Sequence, residues 1–277
     1  MDSNQKITKN VEVKCPICQA IKKIEVPETL LSQKDFGTVK IQIPSGAVCQ
    51  HQFLVFLDTK GKVRSYEKID VHMAISAEET PKEATGILTL KKLIQIFGMY
   101  GIFSLIHSKV FNYPVYIIID ENFEQSEDIL NLIGERLMPN KYRGEKKLHL
   151  ILESEYNKIY SQVQIDKNAL LMDTHQHILQ TPWEEKLKFE ESLINKALEI
   201  IDEEEQLFII QNEIDKLIKE AENLTKILEN TEEISEKNLK KQIIKDLNIP
   251  KISNNRFRLI KELIKRRISP ELIFKIK

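Results

Sequence analysis

Cysteine is scarce in this chain of 277 residues: there are three, all within the first 49 positions. Once they are placed on a metal, nothing is left over for a disulfide. Glycine and proline are few, at 8 and 9 residues, which excludes collagen-like or long flexible segments. No Gly-rich phosphate loop is present. No apolar run opens the sequence either; Met1 to Asn10 is polar, so no signal peptide is expected. The longest apolar stretch, Leu93 to Ile106, is interrupted by Gln95, Gly98, Gly101 and Ser104 and reads as too short to span a bilayer. Net charge is almost nil, at −1. A reducing cytoplasm is the expected location, because it keeps thiols available as thiolates.

What is present supports two or three modest domains with real cores: 42% of residues are hydrophobic and 30% charged. The global neutrality hides a division. Glu184 to Glu236 carries 17 acidic residues against 6 lysines, whereas Lys237 to Lys277 carries 13 Lys or Arg against Asp246, Glu262 and Glu271. Such asymmetry calls for an electrostatic partner, and each segment can be the other's.

Three regions follow from periodicity. Residues 10–76 alternate with period two in short runs (Val11–Val13, Lys22–Val26, Thr38–Ile43, Phe53–Asp58, Val63–Tyr66) and predict a small β-rich module. Residues 77–85 read as a polar linker. Residues 86–182 read as a small α/β domain. Leu88 to Val110 is an all-round apolar helix, and Val115 to Ile119 a strand buried on both faces. A helix from Ser126 to Leu137 follows, then strands at Leu148–Leu152 and Ala169–Met172. Residues 183–277 read as helical, with an acidic coiled-coil-like part and a basic C-terminal part. Leu207, Ile210, Ile214, Leu217, Ala221, Leu224 and Leu228 form an a/d seam. An earlier stripe slips phase across Asp202 to Gln206, which a bend or hairpin there explains. Ser253 offers a cap for the helix through Arg267. The expected fold class is therefore α+β and multidomain.

Cys15-Pro16-Ile17-Cys18 and Cys49-Gln50-His51 carry the most specific chemical signal. Two short ligand pairs of thiolate and imidazole, brought together by a hairpin, supply the closed tetrahedral shell that zinc prefers. Cys49 and His51 lie two apart, so in extended chain both face one metal. Proline after the first cysteine and the turn Pro44-Ser45-Gly46 before the third suit a metal knuckle. A redox CxxC and incidental buried thiols are the rival readings; a redox motif normally opens a helix in a larger α/β fold. With four protein ligands no position remains for water, so one structural zinc is expected and no catalytic one. Over about 60 residues the set resembles zinc ribbons and related small zinc-binding β-domains, with a one-residue gap in the second pair where two is usual.

The remaining candidates carry less. Asp120, Glu121, Glu153 and Glu155 stand at strand ends, where they could hold magnesium for nuclease or phosphoryl-transfer chemistry; solvated turn residues are the commoner case. Asp173, His175 and His177 could bind a second metal from an extended segment, or simply lead into a turn. Trp183 is expected to anchor the junction between the α/β unit and the helices, and Arg64 and Tyr66 to decorate a strand or touch a partner. Arg256, Arg258, Lys261, Lys265, Arg266 and Arg267 could contact a partner or nucleic acid, or clasp the acidic helices. Only Phe257 and Phe274 offer stacking there, which disfavours single-strand recognition. The order of apolar helix, Phe111-Asn112-Tyr113-Pro114, buried strand, then a helix ending at Met138-Pro139 resembles the core of DENN-type modules, which regulate small GTPases. That resemblance implies a GTPase partner and no particular residues. The expected function is a non-enzymatic zinc-binding adaptor or regulator acting through protein contacts, with self or another protein engaged through the helical region. A nucleic-acid-binding protein and a metal-dependent phosphoesterase or nuclease are the alternatives.

Overall fold

The computed structural model describes residues 8–32, 38–69, 89–121, 123, 133, 137–139, 148–159, 167–184 and 186–277. The period-two runs become strands where they were expected. β1 (Thr8–Lys14) and β2 (Ile21–Pro27) form an antiparallel hairpin, with Lys14 opposite Ile21 and Glu12 opposite Lys23. A short helix, α1 (Glu28–Ser32), follows. β3 (Thr38–Ile43), β4 (Phe53–Asp58) and β5 (Val63–Lys68) make an antiparallel meander. The Asp58 carboxylate shapes its second turn by accepting from the backbone N–H of Lys62 at 2.8 Å and of Lys60 at 2.9 Å. Those two donors, with the Arg64 guanidinium 2.7 Å away, outweigh desolvation and hold the Asp58 carboxyl below its ordinary pKa.

Beyond α2 (Leu90–Val110) come β6 (Val115–Ile119), β7 (Leu148–Leu152), α3 (Glu153–Ile159), β8 (Leu170–Asp173) and β9 (His177–Gln180). Among the described residues, seven strands lie in one sheet in the order β5-β4-β3-β9-β8-β6-β7, with β6 parallel to both β7 and β8. β3 pairs antiparallel with β9, Lys40 opposite Ile178 and Ile41 opposite His177. Strands on either side of the expected linker thus share one sheet, and residues 77–85 themselves lie outside the described set. Most of the helix expected over 126–137 also lies outside it.

Both faces of this sheet are covered. Val39, Ile41, Ile43, Phe53, Val55, Leu57, Ile118, Leu171 and Leu179 point to one side, where they pack with Val11, Val13 and Val26 of the hairpin, Leu30 and Leu31 of α1, and Tyr156 of α3. Leu54, Val115, Ile117, Ile119, Leu170, Met172 and Ile178 point to the other, beneath α2 and the C-terminal helices. The phenol of Tyr66, expected to face outwards, instead accepts from Lys14 N–H at 3.0 Å and so pins the hairpin to the sheet.

α2 is not one straight helix. Gly98, at φ 71° and ψ 168°, breaks it in a region open essentially to glycine alone. The side chain of Gln42, buried on β3, enters the break, and its Oε1 accepts from Tyr100 N–H at 3.0 Å. A Cβ at position 98 would lie 2.5 Å from that amide. Gly98→Ala is therefore expected to cost about 2 kcal/mol or more, from backbone strain and the clash together. Adding Gln42→Ala should relieve the clash but not the strain, and chemical denaturation of Gly98→Ala, Gln42→Ala and the double variant checks this. A Gly98→Ala protein as stable as the parent would show that the break is not fixed. With 21 residues α2 is, contrary to expectation, long and apolar enough to cross a membrane; what sets it apart is that 89% of its most apolar window is buried inside the protein.

The helical region is a bundle folded on α2. α4 (Lys188–Leu198) and α5 (Glu203–Glu229) form a hairpin, turned at the acidic cluster where the stripe slips phase. Asp202 caps α5 by accepting from the N–H groups of Glu204 and Glu205. α6 (Glu236–Asp246), α7 (Asn254–Arg267) and α8 (Pro270–Ile273) follow, and Ser253 caps α7 as expected. Every seam residue from Leu207 to Leu228 is buried, and α5 packs against α4, α7 and α2 of the same chain. The seam is thus filled from within, and gives no support to a coiled coil with another chain.

Candidate metal centre

The turn of the β1–β2 hairpin and the connection from β3 to β4 meet at one point. There one ligand atom from each of Cys15, Cys18, Cys49 and His51 lies within 4.8 Å of all the others. His51 Nδ1 is 3.8 Å from Cys15 Sγ and 3.5 Å from Cys49 Sγ. Tetrahedral bonds of about 2.0–2.3 Å give ligand–ligand edges of roughly 3.5–3.8 Å, so these two spacings suit a single ion without rearrangement. Four residues are positioned to bind one metal ion, the same four that the sequence marks out.

Local structure explains the convergence. In the first knuckle Cys15 N–H donates to Ala20 O at 2.8 Å and Gln19 N–H donates to Cys15 O at 3.0 Å. The turn needs a left-handed residue, and Gln19 supplies it at φ 65°. In the second, Gly46 at φ 89° lets its N–H reach Cys49 O at 2.7 Å. Backbone N–H groups point at the sulfurs, Ile17 to Cys15 and His51 to Cys49, each at 3.4 Å. Such donors stabilise thiolate. Lys22, which sequence reasoning did not single out, donates from Nζ to Ala47 O at 2.6 Å and ties one knuckle to the other.

Burial raises the Cys15 thiol, but the N–H groups of Cys18 and Ile17, with hydrogen bonds from the Cys49 and Cys18 thiols, together leave its pKa below the ordinary value. Burial pushes Cys49 up to about 11, and the neighbouring sulfurs of Cys15 and Cys18 add to the rise. Three thiolates packed this closely repel one another, and a divalent cation between them removes the conflict. A disulfide-like redox role finds less here: Cys15 and Cys18 sit in a hairpin turn, not at the start of a helix.

Two of the other candidate carboxylates are engaged in local structure. Glu121 Oε1 accepts from Ser154 N–H at 3.0 Å, at the first turn of α3. Asp173 organises the β8–β9 turn: Oδ1 accepts from the N–H groups of His175 and His177, and Oδ2 lies 2.7 Å from His177 Nδ1. Among the described residues, neither set forms a metal-sized cluster with a third donor. Trp183 is buried against His107 and Tyr113, with ring centroids 4.5 and 5.4 Å apart, at the end of α2 where the helices dock.

The six basic candidates are not gathered on one open face. Arg256 meets Glu220 of α5 at 2.6 Å, and Lys261 meets Glu236 at 3.0 Å. Arg266 pairs with Glu262 and stacks on Tyr113, 3.8 Å from the ring centroid. Arg267 donates to the carbonyls of Lys109 and Val110, capping α2. Arg258 bonds Asn255 at 3.3 Å, and Lys265 is exposed. Lys237, Lys241 and Lys245 on α6 are exposed and were counted in the basic segment without being singled out; their spacing of four was the available signal.

Compared with known proteins, the chain matches no protein-family model and no curated sequence. The likeness to DENN-type modules receives no support from them; what the structure does show is a Cys3His cluster positioned to bind one metal ion.

Proposed function

We propose that the Cys3His site holds one structural zinc and that the protein is a non-enzymatic adaptor or regulator working through protein contacts. The observation that carries this reading is the four-ligand shell: three sulfurs and one imidazole complete zinc's coordination and leave no place for a substrate or an activated water. Of the other candidates, Glu121 serves the start of α3 and Asp173 the β8–β9 turn. Engagement of Arg256, Lys261, Arg266 and Arg267 within the fold weighs against a nucleic-acid surface on α7.

The test is purification of the full chain from its own cells, without chelator, after mild cross-linking. About one zinc per chain and a stoichiometric polypeptide partner are expected. A small GTPase among those partners would be recognised by a change in its nucleotide release when this protein is added. Stoichiometric nucleic acid, lost steeply with added salt, would overturn the reading. So would phosphoester turnover that follows metal content.

A further inference from the structure

Two large apolar side chains stand out of the α4–α5 hairpin. Ile201 is 97% exposed and Phe208 62% exposed. They are not slack: Gln206 Nε2 donates to Ile200 O at 2.8 Å, and the Asp202 cap fixes the turn. Around them Glu199, Asp202, Glu203, Glu204 and Glu205 are all exposed. An apolar pair held outward within an acidic rim fits a surface that is apolar at its centre and basic at its edge.

The same chain carries such a surface. Lys237, Lys241 and Lys245 form an exposed stripe along α6, beside the half-buried Ile244, Leu247 and Ile249. The two surfaces of one molecule are held apart: α5, with 27 residues, is about 40 Å long. α6 starts beyond its far end, and its 11 residues reach back only about 16 Å. We propose that the α4–α5 turn of one molecule docks on the lysine face of α6 in a second copy, so that copies associate head to tail. Such an interface is heterologous and continues from copy to copy unless it closes into a ring. The proposal does not depend on the metal centre.

Sedimentation and light scattering of the full chain test it. At about 50 mM salt the mass should rise with concentration above one chain, and at about 500 mM it should fall back, because screening weakens pairing of exposed charges. Phe208→Lys removes one surface, and the double variant Lys241→Glu, Lys245→Glu removes the other. Each alone should weaken association at least tenfold. Mixed together they should form a dimer and stop, because one keeps the lysine face and the other keeps the turn. All three positions are exposed, so melting temperatures should match the parent; should either variant misfold, Ile201→Lys and Lys237→Glu replace them. A parent that stays monomeric at low salt overturns the proposal. So do association indifferent to salt, variants that associate like the parent, and a mixture that forms no dimer.

Discussion

Removing the metal from Cys15, Cys18, Cys49 and His51 is expected to free the β1–β2 hairpin from the sheet while the helical bundle stays folded. The four ligands come from two segments that the chain joins through residues 28–37, so the ion closes a loop between hairpin and meander, beside the hydrogen bonds of Tyr66 and Lys22. The hairpin contributes little core of its own: Val11, Val13 and Val26 are its buried aliphatic anchors. At roughly 1.5–3 kcal/mol each, these cannot match the free energy of structural zinc, which is on the order of 10 kcal/mol. The bundle is a separate case, because α5 is packed by α4, α7 and α2 without reference to the site. Hydrogen exchange of metal-loaded and chelated protein measures the difference. Amides of β1 and β2 should lose protection by several orders of magnitude, and those of α5 by far less. Cys18→Ser should reproduce the chelated pattern. Acid should do so too, since protons compete for the thiolates, and metal affinity therefore falls as pH falls. Unchanged protection of Thr8 to Pro27 after complete metal removal would show that packing alone holds the hairpin.

The ligand set was legible because its chemistry is rare: few roles besides metal binding gather three cysteines and a histidine in two short pairs. Strands were legible for a different reason, since alternation in Thr38–Ile43 and the β-branched run Val115–Ile119 are properties of single segments. Pairing of β3 with β9 was not, because it joins Ile41 to His177 across more than a hundred residues and leaves no trace in either segment. β9 itself hid within Asp173-His175-His177, whose polar residues suggested a metal or a turn; the turn is real, and a four-residue strand follows it. α1 and α3 are too short to show a helical period. The break at Gly98 was visible as a glycine in an apolar run, but its reason is Gln42 on a distant strand. Charge was the least decisive signal. The basic residues read as a partner surface or as a clasp on the acidic helices, and neither reading pointed to Arg266 stacking on Tyr113 or Arg267 capping α2. The sign of a side chain is local information, and the carbonyl or ring that receives it is not.

Ile214→Asp should be among the most damaging single substitutions in this protein, although carboxylate side chains are common along this very helix. Ile214 lies at the middle of α5, fully buried, on the seam that faces α4, α7 and α2. Replacing it removes the branched aliphatic contacts and leaves a carboxylate with no water around it. The lost packing alone is worth about 1–3 kcal/mol, and burying an unpaired charge brings the total to about 4–5 kcal/mol or more. Against a typical reserve of about 5–15 kcal/mol, that is a large share of the stability. For a chain of this size it corresponds to a fall of about 10 °C or more in melting temperature. Phe208→Asp, six positions earlier and exposed, provides the control, because it changes charge on the same helix with no core contact to lose. It should leave the melting temperature within about 2 °C of the parent, in keeping with surface substitutions. The loss at position 214 should also spread, since Arg256 of α7 pairs with Glu220 one to two turns along and Arg267 of α7 caps α2. Loosening α5 therefore loosens α7 and, through it, the end of α2. Circular dichroism melts of the two variants decide the matter: equal melting temperatures would mean that the seam from Leu207 to Leu228 is not the packed centre of the bundle.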